Sequence, residues 1–202
     1  MARWFLAGAG AMMVLALGAG AVFLSDAGGF SARGAPTAIE RWVARASRNA
    51  AMPSGAKNRA NPLANSAEVL AEARAHWADH CASCHANDGS GEIDMGQRMY
   101  PPAPDMRQPA TQQLTDGELF FIVENGIRLT GMPAWGGAGR DEKDSWKLVH
   151  FIRHLPALTF EEKREMERLN PKGPEDRKEE EEEEEFLRGE TPDATETTHH
   201  HR

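Results

Sequence analysis

Residues 76–92 read HWADHCASCHANDGSGE and contain both cysteines of the 202-residue chain. Cys81 and Cys84 are three positions apart, and His85 follows directly. Such a pair can form a redox disulfide, supply half of a zinc site, or attach a haem c group covalently.

The sequence around the two cysteines separates these three uses. A structural zinc site needs four ligands, and the chain has no second cysteine pair. A thioredoxin-like disulfide needs a preceding strand, whereas residues 66–80, SAEVLAEARAHWADH, favour a helix. The spacing C-x-x-C-H therefore predicts that Cys81 and Cys84 bond one haem c and that His85 binds its iron.

Charge divides the chain into parts of different character. Residues 27–65 carry six Lys or Arg and one acid, residues 66–158 eight and thirteen, and residues 159–202 eight and sixteen. Only the middle part combines helical periodicity with enough apolar residues for a core. We predict a haem domain at residues 66–158, preceded at 26–65 by a linker with a short basic amphipathic helix. A short helix and an acidic, disordered tail are predicted for residues 159–202.

An apolar segment precedes these parts. Residues 4–24, WFLAGAGAMMVLALGAGAVFL, contain no charged residue and are long enough to cross a bilayer as a helix. A cleaved signal peptide is the alternative, because Ala19, Gly20 and Ala21 fit its small-x-small cleavage pattern. The run is longer than a usual signal core, which favours an anchor. We predict that residues 1–25 are a transmembrane anchor or a signal.

The remaining pattern predicts helices and no strands, hence an all-α fold. Thr37 and Thr115 each precede a glutamate by three residues, the spacing of a capping box, and Ser66 begins another helix. The last helix of the domain is predicted from about Asp141 to Leu155. Residues 51–65 are predicted to be an extended spacer that lets the haem domain swing.

The helix that follows Thr37 has two faces. Ile39, Trp42 and Val43 can share one side, with arginines mostly on another. Two interpretations stay open: an interfacial helix on anionic lipid headgroups, or a stalk helix packed on the haem domain or on a partner.

The second ligand of the iron must come from elsewhere in the domain. Met132 stands between Gly131, which permits close approach of the backbone, and Pro133, which prevents a helix. These neighbours favour Met132. The alternatives are an open site or one of the other methionines of the domain, Met95, Met99 and Met106.

Four segments in this order resemble a class I c-type cytochrome over residues 66–156. They are CASCH (81–85), PAPDM (102–106), GELFFIVENGI (117–127) and GMPAW (131–135). The resemblance implies a haem enclosed by a few α-helices, the first and last crossing, with His85 and Met132 as axial ligands. It also implies that Trp77 lies at that crossing against Val149 and Ile152. Further contacts implied or suggested are haem packing by Met106 and Trp135 and a propionate contact by Arg128.

Ligation by His and Met fills both axial positions of the iron, which favours one-electron transfer over substrate binding. We therefore predict a membrane-anchored electron carrier rather than an enzyme, with redox proteins or a respiratory complex as partners and no nucleic acid. Covalent haem attachment in bacteria is expected outside the cytoplasm, so we place the haem domain on the periplasmic face of the cytoplasmic membrane. The alternatives are a haem subunit of a larger oxidase or dehydrogenase, or a gas sensor with a displaceable Met132.

Overall fold

The structure, a computed structural model, describes residues 2–26, 31–137, 139 and 141–173, together with 178, 182, 184, 187 and 188. Every regular element in these residues is a helix, and none of them lies in a strand. The predicted all-α class is confirmed. Most of the acidic run at residues 179–185 lies outside the described residues, so the predicted tail stays a prediction.

Two helices precede the haem domain. Helix α1 spans Ala2–Asp26, and its segment Arg3–Val22 is long and apolar enough to cross a membrane, a test that a signal sequence also passes. Helix α2 spans Ala38–Ala51 and begins with the predicted capping box of Thr37 and Glu40. The side chains of both helices stay largely exposed in the described residues.

The domain is built on four longer helices, whose order follows the sequence prediction closely. They are α4 (Ala67–His76), α8 (Asp116–Asn125), α9 (Glu142–His154) and α10 (Phe160–Leu169). Short helical segments connect them: α3 (Ser54–Lys57), a π-helical turn (Trp77–Cys81), α5 (Ala82–His85), α6 (Asp94–Gln97), α7 (Pro109–Gln112) and a 3₁₀ turn (Leu155–Ala157). The predicted caps Ser66 and Thr115 begin α4 and α8, and Asp141, the predicted start of the last domain helix, caps α9.

The main crossing of the domain joins α4 and α9. Trp77 is buried there in one core cluster with Val149 and Ile152, the place that the sequence predicts. The Phe151 ring lies 5.4 Å from the Trp77 ring, centroid to centroid, and completes this contact. Large buried aromatic rings contribute strongly to core stability, so the crossing fixes the end of α4 in place.

Residues 52–63, named the strap below, pack on the domain instead of forming the predicted spacer. The Arg59 guanidinium carbon lies 4.4 Å from the centroid of the Phe120 ring and 5.2 Å from that of Trp146. These two rings stack on each other at 4.0 Å, so the cation contacts an aromatic pair of the core. A cation over aromatic rings is attracted by the negative ring faces.

Hydrogen bonds hold the rest of the strap. The Asn61 amide donates to the Trp146 carbonyl at 2.9 Å, and the Thr115 hydroxyl donates to the Lys57 carbonyl at 2.9 Å. His150 Nε2 lies 2.9 Å from the Leu63 carbonyl oxygen. The predicted swinging spacer is therefore wrong over the strap, because its polar residues meet partners on α8 and α9.

Helix α10 also belongs to the packed domain, although the sequence analysis placed it with the tail. Its Met166 is fully buried in the core cluster. Glu162 accepts a hydrogen bond from Arg74 of α4 at 3.0 Å and lies 2.9 Å from His154 Nε2. An apolar anchor and partly buried ion pairs thus extend the core to the end of α10.

Candidate haem site

The two cysteines and His85 lie where α4 ends. A π-helical turn carries the chain from Trp77 to Cys81, and α5 then contains Cys84 and His85. Such turns are rare and occur often at functional sites. Ala86 ends the helix with a positive φ of 59°, and its carbonyl accepts a hydrogen bond from Trp77 Nε1 at 3.0 Å. The core tryptophan thereby fixes the end of the segment that carries the motif.

The cysteines have the character of attachment thiols rather than of a redox pair. Both are free, and burial, with a smaller contribution from Cys84, raises the pKa of Cys81 to about 12. Redox-active thiols have a lowered pKa instead. Among the residues that the structure describes, no three side chains of His, Cys, Asp or Glu come together as a metal site. Both alternatives to haem attachment are therefore disfavoured.

The surroundings of His85 favour its neutral imidazole form. Burial lowers its pKa, and its ring lies 5.8 Å from the ring of Trp77. Its Nδ1 atom is buried and makes no hydrogen bond with the described part of the chain. Iron is bound by neutral imidazole, so this side chain is in the protonation state that ligation needs. Two thiols, a neutral imidazole and a thioether are the donor set of a haem c, and these residues fit that group.

The predicted second ligand, Met132, lies on a loop held by the end of α8. The Met132 carbonyl accepts a hydrogen bond from the Ile127 amide at 3.2 Å, and its own amide donates to the Thr130 hydroxyl at 3.1 Å. Gly126 leaves α8 at φ 64° and ψ −168°, and a Cβ there would lie 2.7 Å from the Met132 oxygen. Only glycine fits this conformation and this close approach.

A second methionine lies beside the same loop. The side chain of Met99 fills the space next to Gly131, where an added Cβ would meet its sulfur. Met99 therefore supports the loop immediately before Met132. Met95, by contrast, is 60% exposed on the surface. Of the alternatives to Met132, Met99 contacts the loop that carries Met132.

The remaining predicted site residues differ in their placement. Met106 and Trp135 are partly buried and pack against the core cluster. The Trp135 ring stacks on His80, with centroids 5.4 Å apart, which joins the Met132 loop to the helix of the motif. Arg128 is exposed at the loop surface, so its predicted propionate contact stays a prediction.

Two structural contributors were missed by the sequence analysis. The stacking of His80 on Trp135 and the packing of Met99 on Gly131 bring together residues far apart in the chain. The small size of Gly131 indicates close approach by some group, but nothing in the local spacing indicates which one.

Comparison with protein families gives one match. The family model described as "Cytochrome C oxidase, cbb3-type, subunit III" matches residues 68–152. The matched segment includes the cysteine motif, the PAPDM loop and Met132, and ends within α9. No curated protein matches the chain significantly.

Proposed function

Because residues 68–152 are a class I c-type cytochrome domain, we propose that the chain is a membrane-anchored, single-haem electron carrier. Cys81 and Cys84 would bond the haem, and His85 and Met132 would hold its iron. The group supplies one-electron redox chemistry when bound. The observation that carries the proposal is the placement of two free thiols directly before a partly buried histidine at one helix end.

The protein's own residues hold and shield the group. Trp77 fixes the helix end that presents His85, while Trp135 and His80 close the motif against the Met132 loop. Two protein ligands leave no free axial position, so the residues favour electron transfer over binding of a substrate. We do not assign an enzymatic activity to the chain.

Location and partners follow from the first helix and the charge. The candidate span Arg3–Val22 supports attachment to the cytoplasmic membrane, with the haem domain on the periplasmic face. The net charge of −8 supports basic docking surfaces on redox partners. Association with such partners weakens as the salt concentration rises.

A second candidate function is supported by the family match. The matched model describes a subunit of an oxidase, which supports a place in a larger respiratory complex rather than a free carrier. Purification in mild detergent separates the two: a subunit co-purifies with its complex in fixed ratio, whereas a free carrier elutes alone.

Optical spectra of the haem-loaded full chain and of Met132→Ala test the proposal. We expect a low-spin wild type that does not bind carbon monoxide, and a high-spin Met132→Ala variant that does. Met95→Ala, an exposed methionine, is the matched control and keeps the wild-type spectrum.

Two results would contradict the proposal in different ways. An unchanged Met132→Ala spectrum together with an altered Met99→Ala spectrum would assign the sixth position to Met99. Binding of carbon monoxide by the reduced wild type would favour the gas sensor.

A further inference from the structure

Three exposed apolar side chains lie close together on helix α2. Ile39 is 75% exposed, Trp42 71% and Val43 47%, and all three share one side of the helix. We call them the apolar side of α2. We propose that this side lies in the interface of a lipid bilayer containing anionic headgroups, and that the strap transmits this fixed position to the haem domain.

Helix α2 follows the candidate membrane span after a short connection. Helix α1 ends at Asp26 and α2 begins at Ala38, so eleven residues, 27–37, separate them. Even fully extended, eleven residues reach at most about 38 Å. If α1 crosses the membrane, α2 begins close to the same surface. A short connection of this kind brings the apolar side within reach of the headgroup region.

The charges and side-chain types of α2 suit the surface of an anionic bilayer. The three arginines of α2, Arg41, Arg45 and Arg48, stand against a single acid, Glu40, in a chain of net charge −8. Anionic headgroups attract arginines, whose long stems let their charged ends reach past an apolar face. Tryptophan is the residue type enriched at membrane interfaces, because its ring is apolar and its N–H is polar.

Another side of α2 already contacts the haem domain. The Tyr100 hydroxyl donates to Glu40 Oε1 at 2.7 Å, and this bond lowers the pKa of Glu40. At the end of α2, Met52 is buried and begins the strap. The domain therefore holds α2 by its polar side and its end, while the apolar side points away from these contacts.

The consequence is a haem domain held at one height and orientation above the bilayer. The strap leaves no free spacer between α2 and α4, because its residues are bonded to α8 and α9. This inference rests on the membrane location in the proposed function, but not on its haem ligands. It also favours partners that present their own redox group near the membrane surface.

Spin labels on single introduced cysteines test the proposal in the haem-loaded full chain. In this form Cys81 and Cys84 are bonded, so wild type takes up no label; this control reports on haem attachment separately. Labels at Ile39→Cys and Trp42→Cys are compared with a label at Ala44→Cys, an exposed position on the opposite side of the same helix, which keeps all three arginines. The chain is placed in vesicles of phosphatidylcholine with and without phosphatidylglycerol.

We expect labels at positions 39 and 42 to collide with oxygen several-fold more than with a water-soluble nickel chelate, and a label at position 44 to show the reverse. The contrast should weaken without phosphatidylglycerol. Equal nickel access at positions 42 and 44 would overturn the proposal. Low access to both reagents at position 42 would also overturn it, because that result indicates a protein contact. An equal contrast in both lipids would overturn its anionic part.

Discussion

The two sides of the candidate haem site are built differently. On the His85 side a buried helix end is held by the core, through Trp77 and its bond to the Ala86 carbonyl. On the Met132 side a loop without helix carries exposed residues, among them Leu129, which is 93% exposed with φ 63°. One side is therefore fixed by the core, while the other depends on backbone hydrogen bonds and on two side-chain contacts, Met99 on Gly131 and Trp135 on His80.

The two sides of the site therefore differ in how easily they open. The Met132 loop is tied to α8 by the Trp135 amide on the Val123 carbonyl at 3.1 Å and the Gly136 amide on the Glu124 carbonyl at 2.9 Å. A segment with few buried contacts opens at lower free energy than the core. If His85 and Met132 hold the haem iron as proposed, loss of the Met132 side would change the sixth ligand, whereas loss of the His85 side would change whether the haem is held at all.

The largest effect is expected from His85→Ala. We expect loss of most covalent haem, because the variant lacks the neutral imidazole that follows the thiols. Haem content per polypeptide, measured by pyridine haemochrome, checks this. His80→Ala, adjacent to the motif but exposed, should retain attachment. Normal haem content in His85→Ala would contradict the role of His85 in holding the haem.

Gly126→Ala should disturb the loop side alone. An alanine must adopt a conformation that costs about 1–3 kcal/mol, and its Cβ would collide with the Met132 carbonyl. We expect attached haem with a weakened methionine–iron absorption band and a lower reduction potential. Gly55→Ala is the control, since its Cβ would meet nothing within 4 Å. If haem attachment itself fails, the two sides are not independent.

Trp77→Phe should weaken the fixed side without changing the ligands. It removes the bond to the Ala86 carbonyl and some buried volume, so we expect the free energy of unfolding to fall by about 2 kcal/mol. Guanidinium unfolding of the haem-loaded protein in detergent measures the loss. Trp42→Phe, at an exposed position, should change stability little. An equal loss in both variants would contradict a special role for Trp77.

The smallest effect on stability is expected from a substitution of Leu129, and this substitution should stabilise the protein instead of destabilising it. Asparagine tolerates a positive φ better than leucine, so Leu129→Asn should stabilise the protein by about 0.5 kcal/mol. The same unfolding measurement detects this gain. Leu158→Asn, at a partly buried position with negative φ, is the contrasting control and should destabilise. A loss at Leu129 would indicate that its side chain has a contact that stabilises the loop.

Local signals predicted much of the fold and the core of the site. Capping residues gave the starts of α2, α4, α8 and α9, because a cap acts within one helical turn. The motif of two cysteines and a histidine could be identified from the sequence for the same reason, because one helix sets the positions of all three residues. The family resemblance is confirmed over residues 68–152.

What the sequence did not predict depends on contacts between distant residues. The strap resembles a spacer because Arg59 and Asn61 find partners only after α8 and α9 have folded. Helix α10 resembles a polar tail because one methionine, Met166, carries its burial. Residue composition describes a segment alone and therefore misses a partner supplied from elsewhere in the chain.

The strap also implies an order of events during biogenesis. It is synthesised before the cysteine motif, yet its partners Phe120 and Trp146 are synthesised after it. While the chain is still emerging, the strap has nothing to bind, and the segment with the two thiols is accessible to the machinery that attaches haem. The strap can therefore dock only after α8 and α9 have been synthesised, and a chain that begins at residue 66 would lack this contact.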